Sequence, residues 1–292
     1  MKLLISQLPR TPWWGDGIPS YDDNPAMRLG AKPDQGLLEK ERSNLISVFS
    51  ERNIEVIELP FPEEFDQGPI NHDFVFIRDP FITNQKGKAL ILKMKEQKRK
   101  IEKNLVADIL KDLSLEIVQL PDKQEMYAEG GEFYFCPTDN ILFSGQGRNS
   151  VSGTEAVAEF LNVNELVIIQ SDAFHLDTFF TPVFNPTGKI CALIICMEIV
   201  STESTRTLME FTKKRDIPII DIQIEDALGT PLHPGSFAAN SLPLPGLLFS
   251  SNEFLDHTIN ERLAKMDVQQ IIVPATQFGL SGGSIHCITN EI

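Results

Sequence analysis

Cys287 stands close behind a glycine pair, in Gly282-Gly283-Ser284-Ile285-His286-Cys287, where missing side chains let a ligand approach the backbone. A thiol so placed can act as a nucleophile when a proton-transfer partner lies within hydrogen-bond reach. Five histidines compete for that part: His72, His175, His233, His257 and His286. His175 is preferred because Asp177, two residues on, can orient it, and His233 is the reserve. His257 falls on the polar face of a helical stretch and His72 precedes a turn. Neighbours in an extended segment point to opposite sides, which makes His286 a poor direct partner for Cys287. Three carboxylates, Asp79, Glu129 and Asp177, complete the set, with Arg78 as the cation beside them. Brought together they would repel one another unless something positive binds. A planar guanidinium answers that need, because its five N–H donors match carboxylates in paired geometry. The alternative is that Arg78 pairs with Asp79 and the other two are exposed turn residues.

For these groups to meet, the elements that carry them must repeat. Helices are expected at Leu37–Asn53, Gln97–Leu113, Gly153–Leu161, Ser201–Arg215 and Glu253–Lys265, from their amphipathic spacing. Each is followed by a short apolar strand, at Ile54–Leu59, Glu116–Gln119, Glu165–Ile169, Ile219–Ile222 and Gln270–Val273. Two strand-like runs joined by a turn precede each of the last four helices, as in Phe133–Cys136 and Ile141–Ser144 around Pro137-Thr138-Asp139-Asn140. Polar clusters recur just before each hairpin: Arg78-Asp79-Pro80, Glu129-Gly130-Gly131-Glu132, His175-Leu176-Asp177, Pro234-Gly235-Ser236 and the segment ending at Cys287. Markers at Asp79, Glu129, His175, Gly235 and Cys287 lie 50, 46, 60 and 52 residues apart. A period near fifty, with two strands, a helix and a strand per unit, predicts a five-unit pseudosymmetric α/β propeller formed by residues 1–292 as one domain. In such a ring equivalent positions converge on the axis, and scattered clusters form one pocket. An ordinary α/β sheet with loops of similar length is the competing arrangement.

Composition narrows the function. The chain has 292 residues, 42% of them hydrophobic, enough for a large core. Lys and Arg total 26 against 41 Asp and Glu, a formal charge of -15, with no Lys/Arg run longer than three residues. That argues against nucleic acid and anionic membranes, and it suits either a cationic ligand or plain solubility. The opening Met1-Lys2-Leu3-Leu4-Ile5-Ser6-Gln7 is too short an apolar run for a signal peptide, and the stretch Ile190–Met197 is far below membrane-spanning length. A cytoplasmic protein is expected, with self-association left open. Cys136, Cys191 and Cys196 read as structural residues, and no Cys/His spacing resembles a zinc site.

The four strongest clusters resemble those of the guanidine-modifying superfamily, the penteins, which includes arginine deiminase, dimethylarginine dimethylaminohydrolase, agmatine deiminase and glycine amidinotransferase. The match runs from Phe76-Ile77-Arg78-Asp79-Pro80 through Glu129-Gly130-Gly131-Glu132 and His175-Leu176-Asp177-Thr178 to Gly282-Gly283-Ser284-Ile285-His286-Cys287-Ile288-Thr289. The resemblance implies a five-unit propeller, with Cys287 as nucleophile, Glu129 and His175 handling protons, and Asp79 and Asp177 holding guanidinium nitrogens. It implies hydrolysis of a small cationic guanidino compound through a thiouronium on sulfur, without metal or organic cofactor. Amidinotransfer to an amine and a non-catalytic binding role are the alternatives. Glu132 stands where relatives usually carry Asp, and Leu280-Ser281-Gly282-Gly283 lacks the arginine that arginine deiminases place there. Arg148 is the candidate to hold a substrate carboxylate. The aromatic, turn-rich segment 13–25 is either a lid over the pocket or a surface loop.

Overall fold

The β-branched and aromatic runs fold as five three-stranded sheets, each built to the same plan. The structure is a computed structural model describing residues 1–14, 24, 26–27, 30–67, 71–230 and 232–292. Most of the segment considered as a lid, residues 15–23 and 25, lies outside them. Strands β1 (Lys2–Ser6) and β2 (Glu55–Leu59) flank helix α1 (Gln35–Glu51), with the single turn α2 (Glu64–Gln67) beyond. The next unit is β3 (Phe81–Thr83), β4 (Lys88–Ile91), α3 (Glu102–Lys111) and β5 (Glu116–Gln119). It is followed by β6 (Phe133–Cys136), β7 (Ile141–Gly145), α4 (Val151–Leu161) and β8 (Glu165–Ile169). Then come β9 (Phe180–Phe184), β10 (Ile190–Ile195), α5 (Thr202–Arg215) and β11 (Ile219–Asp221). The chain ends with β12 (Leu242–Leu244), β13 (Leu247–Ser250), α6 (Thr258–Ala264), β14 (Gln269–Ile272), the single turn α7 (Thr276–Gly279) and β15 (Thr289–Glu291).

In every sheet an antiparallel pair is followed by a helical crossover to a parallel third strand. The fifth sheet is assembled from both ends of the sequence. Strand β15 pairs antiparallel with β1, with Leu4 opposite Asn290, and β1 pairs parallel with β2. The fold is thus a closed five-unit α/β propeller, as the period implied.

Local chemistry sets the helix limits. Asp34, Ser150 and Ser201 cap α1, α4 and α5 by accepting the backbone N–H three residues on. Asn162 and Asp216 end α4 and α5 in the left-handed conformation. The apolar faces, for example Leu38, Leu45 and Phe49 on α1, pack inward. Two expectations need correction. The helix expected from Glu253 starts only at Thr258, because Asp226 accepts the Leu255 N–H and Asp256 accepts that of Thr258, holding the intervening chain in turns. The helix expected from Gln97 opens as a separate 3₁₀ turn, Gln97–Arg99, which turns Arg99 into the interior. No helix among the described residues is long and apolar enough to cross a membrane.

Candidate active site

Each unit delivers its polar group at the entry to its first strand. Asp79 stands two residues before β3, Glu129 four before β6, His175 and Asp177 just before β9, and Cys287 two before β15. The fourth unit contributes Asn240, two residues before β12, rather than the Pro234-Gly235-Ser236 turn that precedes it. His233 and His257 are exposed, and His72 is buried beside Asp66 and Trp14.

Five hydrogen bonds tie these entries into a ring. The Arg78 N–H donates to the Cys287 carbonyl (3.1 Å), and the Gly130 N–H to the Asp79 carbonyl (2.9 Å). The Leu176 N–H donates to Glu132 Oε2 (2.9 Å) and Asn240 Nδ2 to the Asp177 carbonyl (3.0 Å). The His286 N–H closes the circle on the Asn240 carbonyl (3.2 Å). Gly130 and Gly131 are required by this closeness: a Cβ on Gly130 would lie 1.8 Å from the Arg78 carbonyl oxygen, and one on Gly131 would lie 2.6 Å from His175 Nδ1. Glu132 accepts from the Arg148 N–H (2.6 Å) as well as from Leu176.

His175, Asp79 and Cys287 line one cavity enclosing about 300 Å³ of empty space, together with Arg99, Arg148 and Phe174. His175 Nε2 lies 2.7 Å from Glu129 Oε2, and its Nδ1 is 3.7 Å from Asp79 Oδ1. Burial would lower the His175 pKa, but the charge of Asp79 and the bond to Glu129 outweigh it and push it up to about 9. Burial likewise opposes ionisation of Glu129, yet Arg148 and His175 hold it well below the usual carboxylate range. His175 is therefore an imidazolium at neutral pH. Glu129 Oε1 is fixed by the Lys95 N–H at 2.8 Å, which orients the pair from the other side.

Cys287 is 3% exposed, and its Sγ sits between two groups: Asp177 Oδ2 at 3.2 Å and Asn240 Nδ2 at 3.1 Å. Burial, Asp177 and Asp79 together drive the thiol well above its ordinary range, with the Asn240 donor opposing them. Asp177 is itself pushed up to about 7 by burial, with the Asp79 charge adding to it. Its Oδ2 also accepts from His286 Nδ1 at 2.8 Å. Its Oδ1 is buried without a hydrogen-bond partner, and so is His175 Nδ1.

Arg78 does not pair with Asp79. It bonds Glu291 on β15 at 2.7 Å, while Asp79 takes Arg99 on Oδ2 (2.6 Å) and the Gly131 N–H on Oδ1 (3.1 Å). Arg99, which also bonds Glu102, was hidden in the sequence by its basic neighbours Lys98 and Lys100, a run that reads as a solvated face. Asn240, inside an Ala-Ala-Asn-Ser turn, carried no signal beyond its place in the fourth unit. Arg148 Nη1 reaches Glu129 at 3.3 Å, and its guanidinium lies over the Phe174 ring.

The same architecture recurs in solved structures of low sequence identity. The arginine dihydrolase ArgZ of the ornithine-ammonia cycle in cyanobacteria superposes with a TM-score of 0.79 at 19% identity, covering 99% of this chain. This chain spans only 40% of that protein's length. The N-terminal domain of ArgZ, covalently bound to a reaction intermediate, gives 0.78 at 19% identity over 99% of this chain and 96% of that domain. A dimethylarginine dimethylaminohydrolase variant carrying an S-methyl-L-thiocitrulline adduct gives 0.72 at 16% identity, covering 100% and 99% of the two chains. No curated protein matches the sequence significantly. The profile of the family described as N,N dimethylarginine dimethylhydrolase, eukaryotic, matches residues 30–292, which takes in every active-site group described above. By that match over most of its length, the chain belongs to the eukaryotic N,N-dimethylarginine dimethylhydrolase family.

Proposed function

We propose that the protein is a cysteine hydrolase that attacks the guanidinium carbon of a free arginine-like compound, an Nω-methylated arginine or arginine itself. The observation that carries this is the unpartnered Asp177 Oδ1 beside the Cys287 thiol, a buried acceptor that a substrate N–H would satisfy. Family membership and the covalent adducts of the structural relatives support the same chemistry.

The steps follow from the charges. The resting thiol is protonated, since burial and two carboxylates disfavour its anion. A guanidinium bound against Asp79 and Asp177 supplies the missing positive charge and favours the thiolate, the thiol proton leaving to solvent as the cation binds. Sulfur adds to the guanidinium carbon. As the C–N bond breaks, the His175 imidazolium passes a proton to the departing amine, leaving a thiouronium on Cys287. Neutral His175 then takes a proton from water as its oxygen adds to the carbon. The C–S bond breaks, the proton on the new hydroxyl oxygen passes to the sulfur, and a ureido product leaves with the thiol and the imidazolium restored. Arg148, lining the same cavity, is assigned to the substrate carboxylate, with Glu129 holding His175 in place.

The test is to incubate purified protein with arginine, monomethylarginine, dimethylarginine, agmatine and citrulline, following ammonia, methylamines and ureido product beside Cys287→Ser. Turnover that vanishes in the folded variant is expected. Inactivity toward the whole panel would refute the reading. A new guanidino product on adding glycine would instead identify amidinotransfer.

A further inference from the structure

His286 belongs to none of the roles assigned so far, yet it is bound into the site more tightly than its place beside the nucleophile requires. Residues 285–288 form a turn rather than an extended run. The His286 ring stacks on Tyr134, with centroids 4.2 Å apart and planes at 27°. It is 1% exposed and lines a second, larger cavity, about 670 Å³, that Cys287 does not touch. From there Nδ1 reaches back to Asp177 Oδ2 at 2.8 Å, the oxygen that is also 3.2 Å from Cys287 Sγ.

Asp177 is thereby divided between two tasks. Oδ2 is taken by His286 and the thiol, while Oδ1 is left without a partner. A carboxylate so close to the nucleophile could rotate onto it or take up a proton, and either would remove the acceptor that a cation needs. A fixed N–H on Oδ2 opposes both, since a hydrogen bond to the charged form favours that form. The imidazole can supply this N–H without adding charge: burial, with Arg78 and His175 nearby, lowers the His286 pKa well below its ordinary value and keeps the ring neutral. Its single proton is then available to Nδ1.

We propose that His286 is a positioning residue: by donating Nδ1–H to Asp177 Oδ2 it holds Asp177 as an oriented carboxylate that presents Oδ1 to the substrate cation. The proposal rests on the guanidinium reading of the site and adds a residue to its machinery. The charged and titratable groups facing the His286–Asp177 pair are Arg78, Asp79, Tyr134, His175 and Cys287, and all remain in the variants below.

Two substitutions separate donor from bulk. His286→Phe keeps a ring against Tyr134 and removes the donor. His286→Asn places an amide N–H close to where Nδ1 stands. With both variants shown to be folded by thermal unfolding, His286→Phe is expected to lose turnover by about 10²-fold, the scale of a misplaced catalytic group. The acid limb of its kcat/KM profile should also move at least about one pH unit upward, because Asp177 then ionises less readily. His286→Asn should recover most of both. Alkylation of Cys287 by iodoacetamide, followed against pH, needs no substrate. Its midpoint should rise in His286→Phe, where Asp177 Oδ2, released from His286 and still ionised at the alkaline pH where the thiol titrates, turns fully onto the thiol, and stay near the parent value in His286→Asn. A folded His286→Phe with unshifted kinetic and alkylation profiles overturns the proposal, as does a His286→Asn variant no better than His286→Phe. If the parent protein turns over no guanidino compound, the alkylation arm still decides the part played by His286.

Discussion

His175 lies within 2.7 Å of one carboxylate and 3.7 Å of another, and Asp177 has to ionise in the same buried space. The pH dependence of stability follows with definite sign. The folded-state pKa of His175 is raised from 6.5 to about 9, so its contribution is fully present below pH 6.5 and is lost as pH rises toward 9. Asp177, raised from 3.8 to about 7, works in the same direction at lower pH: folding favours its protonated form, and stability declines as pH rises between those values. The melting temperature should therefore fall from pH 6.5 to 9, and a His175→Asn variant should flatten that slope in scanning calorimetry. An unchanged slope in the variant would show that His175 is not the titrating group. Residues of this kind are legible in sequence because they sit in clusters at regular intervals, as Asp79, Glu129, His175, Asp177 and Cys287 do. Asn240, Arg99 and His286 are not. Asn240 looks like any turn asparagine, Arg99 like part of a solvated basic run, and His286 like a side chain facing away from the thiol. That last reading takes for extended a segment that turns at residues 285–288, and it misses that the ring reaches the sulfur's neighbour.

The strand entries, not the strands, carry the polar groups of the site, and they have no room to spare. At Gly131 an added methyl would meet His175 Nδ1 at 2.6 Å and Asp79 Oδ1 at 2.9 Å, both on buried side chains already held by other partners. Gly131→Ala is expected to displace His175 and reduce kcat by about 10²-fold or more. KM should rise as well, because Asp79, assigned to the substrate guanidinium, is struck by the same methyl. A variant with parental kcat would mean that the ring of entries can relax. The strand limits in the sequence are nearly those of the structure, Glu116–Gln119 and Glu165–Ile169 without change, since turn residues bound them closely. Helix starts are less legible. The late start of α6 depends on Asp226 and Asp256, one of them some thirty residues distant in the chain, accepting backbone N–H groups.

Across the whole molecule, the fifty-residue period is enough to anticipate a ring but not how it shuts. No local pattern reveals that β15 pairs with β1, because strand alternation does not name a partner at the other end of the chain. The closure is reinforced by Glu291, which neutralises the buried Arg78, and by Asn290, which donates to the Ile77 and Phe81 carbonyls. Glu291→Ala would leave the Arg78 guanidinium buried without its counter-charge and should cost about 2–4 kcal/mol in urea unfolding. A loss under about 0.5 kcal/mol would mean that water replaces the carboxylate.

Cys287 rides on the segment that closes this ring, and the order of assembly follows. Four sheets form from strands close together in sequence, but the fifth must join residues separated by nearly the whole chain, the contacts slowest to form. Asn240 and Asp177 can be in place before β15 docks, whereas the Cys287 thiol meets them only when it does. The site is therefore complete only with the final contacts of folding, and a partly folded chain carries an accessible thiol without the carboxylate and amide that hold it in the native site.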